Sequence, residues 1–186
     1  MTTETYVYPD HTREDPTMDK KVYELLNDQI NKEFYSAYLY LTFADYYEQR
    51  GLKGFANWYV IQAQEERDHA MLFRQYLINE GEPVVMKAIA QPDKTFSCDL
   101  EPLEAALEHE KYVTSLINDI YAAAYDIRDF RTMQMLDWFV KEQGEEEDNA
   151  RTMIDNYKLF GGDPKGLYAL DREYQARVYS APSLVL

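Results

Sequence analysis

Residues 62–69 read Gln-Ala-Gln-Glu-Glu-Arg-Asp-His, and within them Glu66 and His69 set a carboxylate and an imidazole three residues apart. On an α-helix that spacing puts both side chains on one face. The row they belong to is Phe55, Tyr59, Gln62, Glu66, His69, Phe73 and then Tyr76 or Leu77. Steps of three and four between apolar residues mark the buried seam of an amphipathic helix. An i, i+3 Glu/His pair more often belongs to a solvated face, but here it replaces apolar residues in the seam itself. Glu65 falls one step round. The helix is expected to run from the break Gly51-Leu52-Lys53-Gly54 to about Glu80, with Gly81 as its C-terminal stop.

Three further seams have the same mixed character. The first helix, from Thr17 as N-cap to Arg50, aligns Tyr23, Leu26, Ile30, Glu33, Ala37, Tyr40, Ala44 and Tyr47. A third opens at Asp99 or Leu100, tolerates Pro102 in its first turn, and runs to about Arg128. Its row is Leu103, Leu107, Glu110, Thr114, Ile117, Tyr121 and Ala124. The fourth, from about Asp129 to Phe160, aligns Leu136, Phe139, Gln143, Glu146, Ala150, Met153, Tyr157 and Phe160, with Glu142, Glu145 and Glu147 beside the row. His109 sits about 100° round the third helix from Glu110, which suits a surface or subunit-contact role. After Gly161-Gly162-Asp163, Pro164 opens a short fifth helix reaching about Arg177.

The stretch Glu82 to Cys98 contains Pro83 and Pro92 and no helical period. A helix of about 28 residues is about 42 Å long, and a link of about 17 residues reaches at most about 60 Å, so it can cross the whole bundle. An all-α fold follows: an antiparallel four-helix bundle with one long crossover between helices 2 and 3, which makes those two parallel, plus the short fifth helix. With 186 residues, 46% of them hydrophobic, the chain suits one domain with a real core. The bundle is expected over residues 17–177, an extended arm over 1–16 and an irregular tail over 178–186. His11, in the arm, reads as a solvated side chain.

Charge narrows the function. With 34 acidic against 19 basic residues the net charge is −15, which opposes binding to nucleic acid or anionic lipid and draws in cations. The one cysteine, Cys98, excludes an intrachain disulfide and any Cys-based metal cluster. The N-terminus lacks a signal-peptide pattern and no apolar run is long enough to span a membrane, so the cytoplasm is the expected compartment.

The seams also agree in depth. Glu33, Glu66 and Glu146 fall within about two residues of their helix midpoints and Glu110 within about one turn of its own. A Glu-x-x-His pair facing a bundle core, completed by Glu residues of neighbouring helices, is the ligand pattern of di-iron carboxylate proteins. Buried carboxylates this close repel unless metal neutralises them, and none of the four rows offers an inward basic residue. Oxygen-rich ligands with a single imidazole suit iron or manganese better than zinc or copper. Iron is the preferred reading. Tyr40, along the row from Glu33, is either plain packing or a hydrogen-bond and redox neighbour of the site.

From about Lys20 to Gln175 the chain resembles a non-haem ferritin of the prokaryotic type. The matching pieces are Asn31-Lys-Glu33-Phe-Tyr35-Ser-Ala-Tyr38, Gln64-Glu65-Glu66-Arg67-Asp68-His69, His109-Glu110, Trp138 through Gln143-Gly-Glu145-Glu146-Glu147, and Gly166-Leu-Tyr-Ala-Leu-Asp171-Arg. The resemblance implies a ferroxidase centre that oxidises Fe(II) with dioxygen or hydrogen peroxide, in a homo-oligomeric shell of 24 subunits storing ferric mineral. It implies that Glu33, Glu66 and His69 hold one iron, and that Glu66 bridges to a second held by Glu110. Gln143 or Glu146 would complete the second shell. It places Glu65, Glu142, Glu145 and Glu146 at a third iron site near the inner surface, and Tyr40 beside the centre. Bacterioferritin differs, with a second Glu-x-x-His on its fourth helix and a haem-ligating Met where this chain has Arg67, so no haem is expected.

Other readings remain open at this level. A ferritin-like enzyme with a permanent di-iron centre, a peroxidase or oxygenase, would hold stoichiometric iron where storage accumulates many irons per subunit. A helical assembly protein without redox chemistry would leave four buried Glu unexplained.

Overall fold

The computed structural model describes residues 18–186; the expected arm over 1–16 with His11, and Thr17, lie outside them. The described residues form five helices and no strand: α1 Lys20–Gln49, α2 Lys53–Asn79, α3 Glu101–Asp126, α4 Phe130–Phe160 and α5 Pro164–Tyr174. The cap of α1 is Asp19, whose carboxylate accepts the backbone N–H groups of Lys21 and Val22, two donors that the first helical turn leaves without partners. That moves the start of the helix past Thr17.

Helix α2 has Leu52 at its cap position and no cap of its own. Its first amides are satisfied from α5: Gly54 and Phe55 donate to Asp171 Oδ1 at 2.7 and 3.2 Å. A Cβ on Gly54 would lie 1.6 Å from the Asp171 carbonyl oxygen, so only glycine permits this docking. Helix α5 ends at Tyr174, short of the expected Arg177.

Pairings at the two ends of the bundle settle the topology. Tyr76, at the end of α2, meets Thr132, at the start of α4, at 2.9 Å. Tyr46 and Arg50, at the end of α1, bind the Asp99 carboxylate just before α3. Helices α2 and α3 therefore start at the same end and run parallel. The crossover between them lies along α1. Asn27 exchanges two hydrogen bonds with the Val85 backbone at 3.0 and 2.8 Å, and Phe96 packs edge-on against Phe43 and Tyr46.

The interior splits into two apolar clusters. One gathers Val22, Leu26, Ile30, Phe73, Ile117, Leu136 and Phe139; the other gathers Phe43, Tyr47, Phe55, Tyr59, Leu103 and Met153. In the seams between them Glu33, Gln62, Glu66, His69, Glu110, Gln143 and Glu146 are all buried. The α3 stripe is rotated from the expected row. Ala106, Val113 and Ile120 are buried while Leu107, Thr114 and Tyr121 are only half-buried, because a 3.6-residue period lets either flank of a 3/4 row turn inward.

Candidate metal centre

Helix α1 supplies Glu33 and helix α2 supplies Glu66 and His69. One ligand atom from each lies within 4.8 Å of the other two, and all three residues are buried. His69 Nδ1 stands 3.5 Å from Glu66 Oε2, while Gln62 Nε2 donates to Glu66 Oε1 at 3.2 Å. Gln29 Nε2 donates to Glu33 Oε1 at 2.8 Å. The second oxygen of Glu33 is buried and, among the described residues, has no hydrogen-bond partner. An orphaned acceptor of this kind is costly in a dry interior, and a bound cation removes the cost.

On the facing pair, Glu110 of α3 is buried and both its oxygens are engaged. Tyr40 donates its hydroxyl to Oε1 in a short hydrogen bond, and Gln143 Nε2 donates to Oε2 at 3.1 Å and to the Glu110 carbonyl at 3.3 Å. Glu146 of α4 is buried one turn beyond Gln143. Tyr40, Tyr59, Gln62, Glu110 and Glu146 line a cavity of about 20 Å³, room for about one water-sized molecule.

The electrostatics describe a site that holds protons when no metal is bound. Burial, then the charge of Glu66, pushes Glu33 up to about 8. The same two causes raise Glu146 to about 7 and carry Glu110 well above the usual carboxylate range. Burial also acts upward on Glu66, but the hydrogen bond and charge of His69 outweigh it and leave Glu66 below the usual value. On His69 burial acts downward, and the hydrogen bond and charge of Glu66 outweigh it, to about 10. The core thus favours a charged Glu66–His69 pair, with protons favoured on Glu33 and Glu110 and about evenly balanced on Glu146 near neutral pH, and metal ions would displace those protons as they bind.

Glu65, Glu142 and Glu145 do not join this close group. Glu142 Oε1 is 4.0 Å from His69 Nε2, and Glu145 is exposed and paired with Lys141 at 3.1 Å. Glu65 is bound by Arg177, Nη2 to Oε2 at 2.6 Å. That arginine follows α5 and belongs to none of the four seams, so periodicity could not have found it. His109 also departs from expectation. Its Nε2 lies 2.7 Å from Ser36 Oγ and its ring packs against Tyr35 and Tyr40, so it is half-buried in the α1–α3 seam.

Residues 23–160 match the model of the ferritin-like domain. The chain is 36% identical over 162 residues to a bacterial non-heme ferritin of Staphylococcus saprophyticus, covering 87% of this chain and 97% of the relative. It is 36% identical over 155 residues to one of Campylobacter jejuni, covering 83% and 93%. Among solved structures, an open pore ferritin of the hyperthermophilic archaeon Archaeoglobus fulgidus superposes with a TM-score of 0.85 at 40% identity, covering 87% of this chain and 99% of that one. With a bundle of one long crossover, a buried Glu-Glu-His group at its centre and these matches over most of its length, the chain belongs to the ferritin family.

Proposed function

We propose that this protein stores and detoxifies iron, oxidising Fe(II) to Fe(III) at an intrasubunit di-iron centre with dioxygen or hydrogen peroxide. The ferric product would be kept as mineral inside a homo-oligomeric shell, expected to hold 24 subunits. The observation that carries this reading is the buried Glu33–Glu66–His69 group with its orphaned Glu33 oxygen. The family and the names of the relatives support it.

Each residue has a definite task under this proposal. Glu33, Glu66 and His69 receive the first ferrous ion, and Glu66 reaches toward the second, which Glu110 also holds. Gln143 presents N–H donors to Glu110, which suits positioning, so the acceptor-only carboxylate of Glu146 is the better partner for the second ion. Protons leave Glu33, Glu110 and Glu146 as the ions enter. Each Fe(II) gives up one electron, and two held about 3 to 4 Å apart can reduce one dioxygen to peroxide, or one peroxide to water. Tyr40 holds Glu110 in place and is the nearest redox-active side chain to it. Four carboxylates with a single imidazole favour the ferric state yet bind with few nitrogen ligands, so iron is treated as substrate, which separates storage from a fixed di-iron enzyme.

Aerobic Fe(II) loading with measurement of particle size tests the proposal. Many irons per subunit in a large hollow particle are expected. Uptake that stops at two irons per subunit would point instead to a permanent di-iron enzyme. Arg67 stands where bacterioferritin has its haem-ligating Met, and α4 carries no second Glu-x-x-His, so the purified protein is expected to show no Soret band.

A further inference from the structure

The segment after α5 turns back onto the bundle and follows the groove between α2 and α4. Arg177 lies over the Trp58 ring, 4.1 Å from its centroid. Its Nη1 donates to the Trp58 carbonyl at 3.2 Å and to Gln62 Oε1 at 3.1 Å, and its Nη2 to Glu65 at 2.6 Å. Further along, Tyr179 donates its hydroxyl to Asp68 Oδ2. Trp138 Nε1 then donates to Ser183 Oγ at 3.0 Å, and Leu184 packs against the cluster that contains Phe73 and Phe139. The segment therefore passes from the first half of α2 to the first half of α4 at the level of His69, whose ring is 5.6 Å from that of Trp138.

This course bears on the three acids beside the main group. The Lys141–Glu145 pair is solvent-exposed, 79% and 58%, and such pairs hold weakly. The Arg177–Glu65 pair is enclosed, each side chain 17% exposed, and stacking on Trp58 fixes the guanidinium. Gln62 joins the two sites, since its amide nitrogen donates to Glu66 while its oxygen accepts from Arg177. A metal ion at Glu65 would meet the guanidinium at a few ångströms, where two cations repel.

We infer that Arg177 is a tethered cation that occupies Glu65 in place of metal, so that a third iron binds there only when segment 175–186 lifts. The inference rests on the iron-storage reading above and adds to it a positioning residue that sets how many ions a subunit holds. Tyr179 and Ser183 keep the segment down, and Arg177 acts through Glu65 without touching the pair of ions inside.

Anaerobic Fe(II) titration calorimetry on the assembled full-length protein reads the count directly. Wild type is expected to bind two ions per subunit, Arg177→Gln three, and Arg177→Lys, which keeps the charge, two. Tyr179→Phe leaves Arg177 and Glu65 intact, loosens the segment and is expected to strengthen third-ion binding several-fold. Adding Glu65→Gln to Arg177→Gln should return the count to two. The inference is overturned if Arg177→Gln and Tyr179→Phe both bind as wild type does, or if wild type already binds three ions with iron at Glu65 in anomalous maps. Fewer than two ions on wild type would instead overturn the storage reading, and this inference with it.

Discussion

On one side of Tyr40 lie Phe43, Tyr47, Phe55 and Tyr59, and on the other lie Glu33, Glu66, His69, Glu110 and Glu146; both groups are almost fully buried. Tyr40 belongs to both, with its ring stacked on Tyr59 at 5.6 Å and its hydroxyl on Glu110. The aromatic layer is satisfied by its own contacts: Tyr47 stacks on Tyr59 at 5.8 Å and on Phe55 at 5.1 Å, and its hydroxyl finds the Asp99 carbonyl at 2.6 Å. The carboxylate layer is not satisfied by its own, as the partnerless Glu33 oxygen shows. Equal burial thus means opposite things. One layer stabilises the fold, and the other is held in the bundle at a cost that metal binding would offset.

Substitutions in the two layers should separate these roles. Phe43→Ala is expected to have the largest effect, lowering stability by about 3–5 kcal/mol, read by denaturant unfolding of the metal-free protein. A comparable loss from Glu33→Gln would break the contrast.

In the polar layer the order reverses and the readout becomes iron oxidation. Glu66→Ala should slow Fe(II) oxidation by at least the ~10–100-fold typical of losing an outer-shell partner of a metal ligand, and more than His69→Ala, because Glu66 would touch both ions and His69 one. Stopped-flow oxidation that ranks the two equally or in the opposite order would count against a bridging Glu66.

A smaller effect tests the protonation of the layer. A carboxyl raised to about 8, as for Glu33, binds a proton in the folded state that the unfolded chain has already lost. Folding then takes up protons above the usual value, and stability falls as pH rises. Glu146, raised to about 7, acts in the same direction, and so does His69, raised to about 10, whose contribution fades as pH climbs toward that value. Glu66, shifted down, opposes this only in acid. The melting temperature of metal-free protein is therefore expected to fall between about pH 5 and pH 8, with Glu33→Gln flattening the slope. Mn(II) should restore stability more at pH 8 than at pH 5, since at the lower pH it must displace protons.

The buried Glu of each helix could be read from the sequence because a 3.6-residue period forces core residues into rows, where a Glu stands out against Leu, Ile and Phe, although the α3 row is rotated and Phe160 at the end of the α4 row is exposed. The crossover was equally legible, since a Pro-containing stretch of that length can span the bundle. The contacts that fasten the ends were not. Asp171 caps α2 from across the chain, Arg177 reaches Glu65 from an irregular segment, and Ser36 draws His109 into a seam. Each is a single tertiary contact with no periodic signature, so only the folded arrangement reveals it. Arg177 in particular leaves no mark on the seam pattern because it approaches from outside the four helices.

By this reading the buried polar layer is built to bind metal. Anomalous diffraction at the iron edge, from crystals soaked in Fe(II) without oxygen, tests it most directly. One strong peak is expected among Glu33, Glu66 and His69 and a second between Glu66 and Glu110, on the side of Glu146. Peaks confined to surface acids, with none inside the bundle, would contradict it.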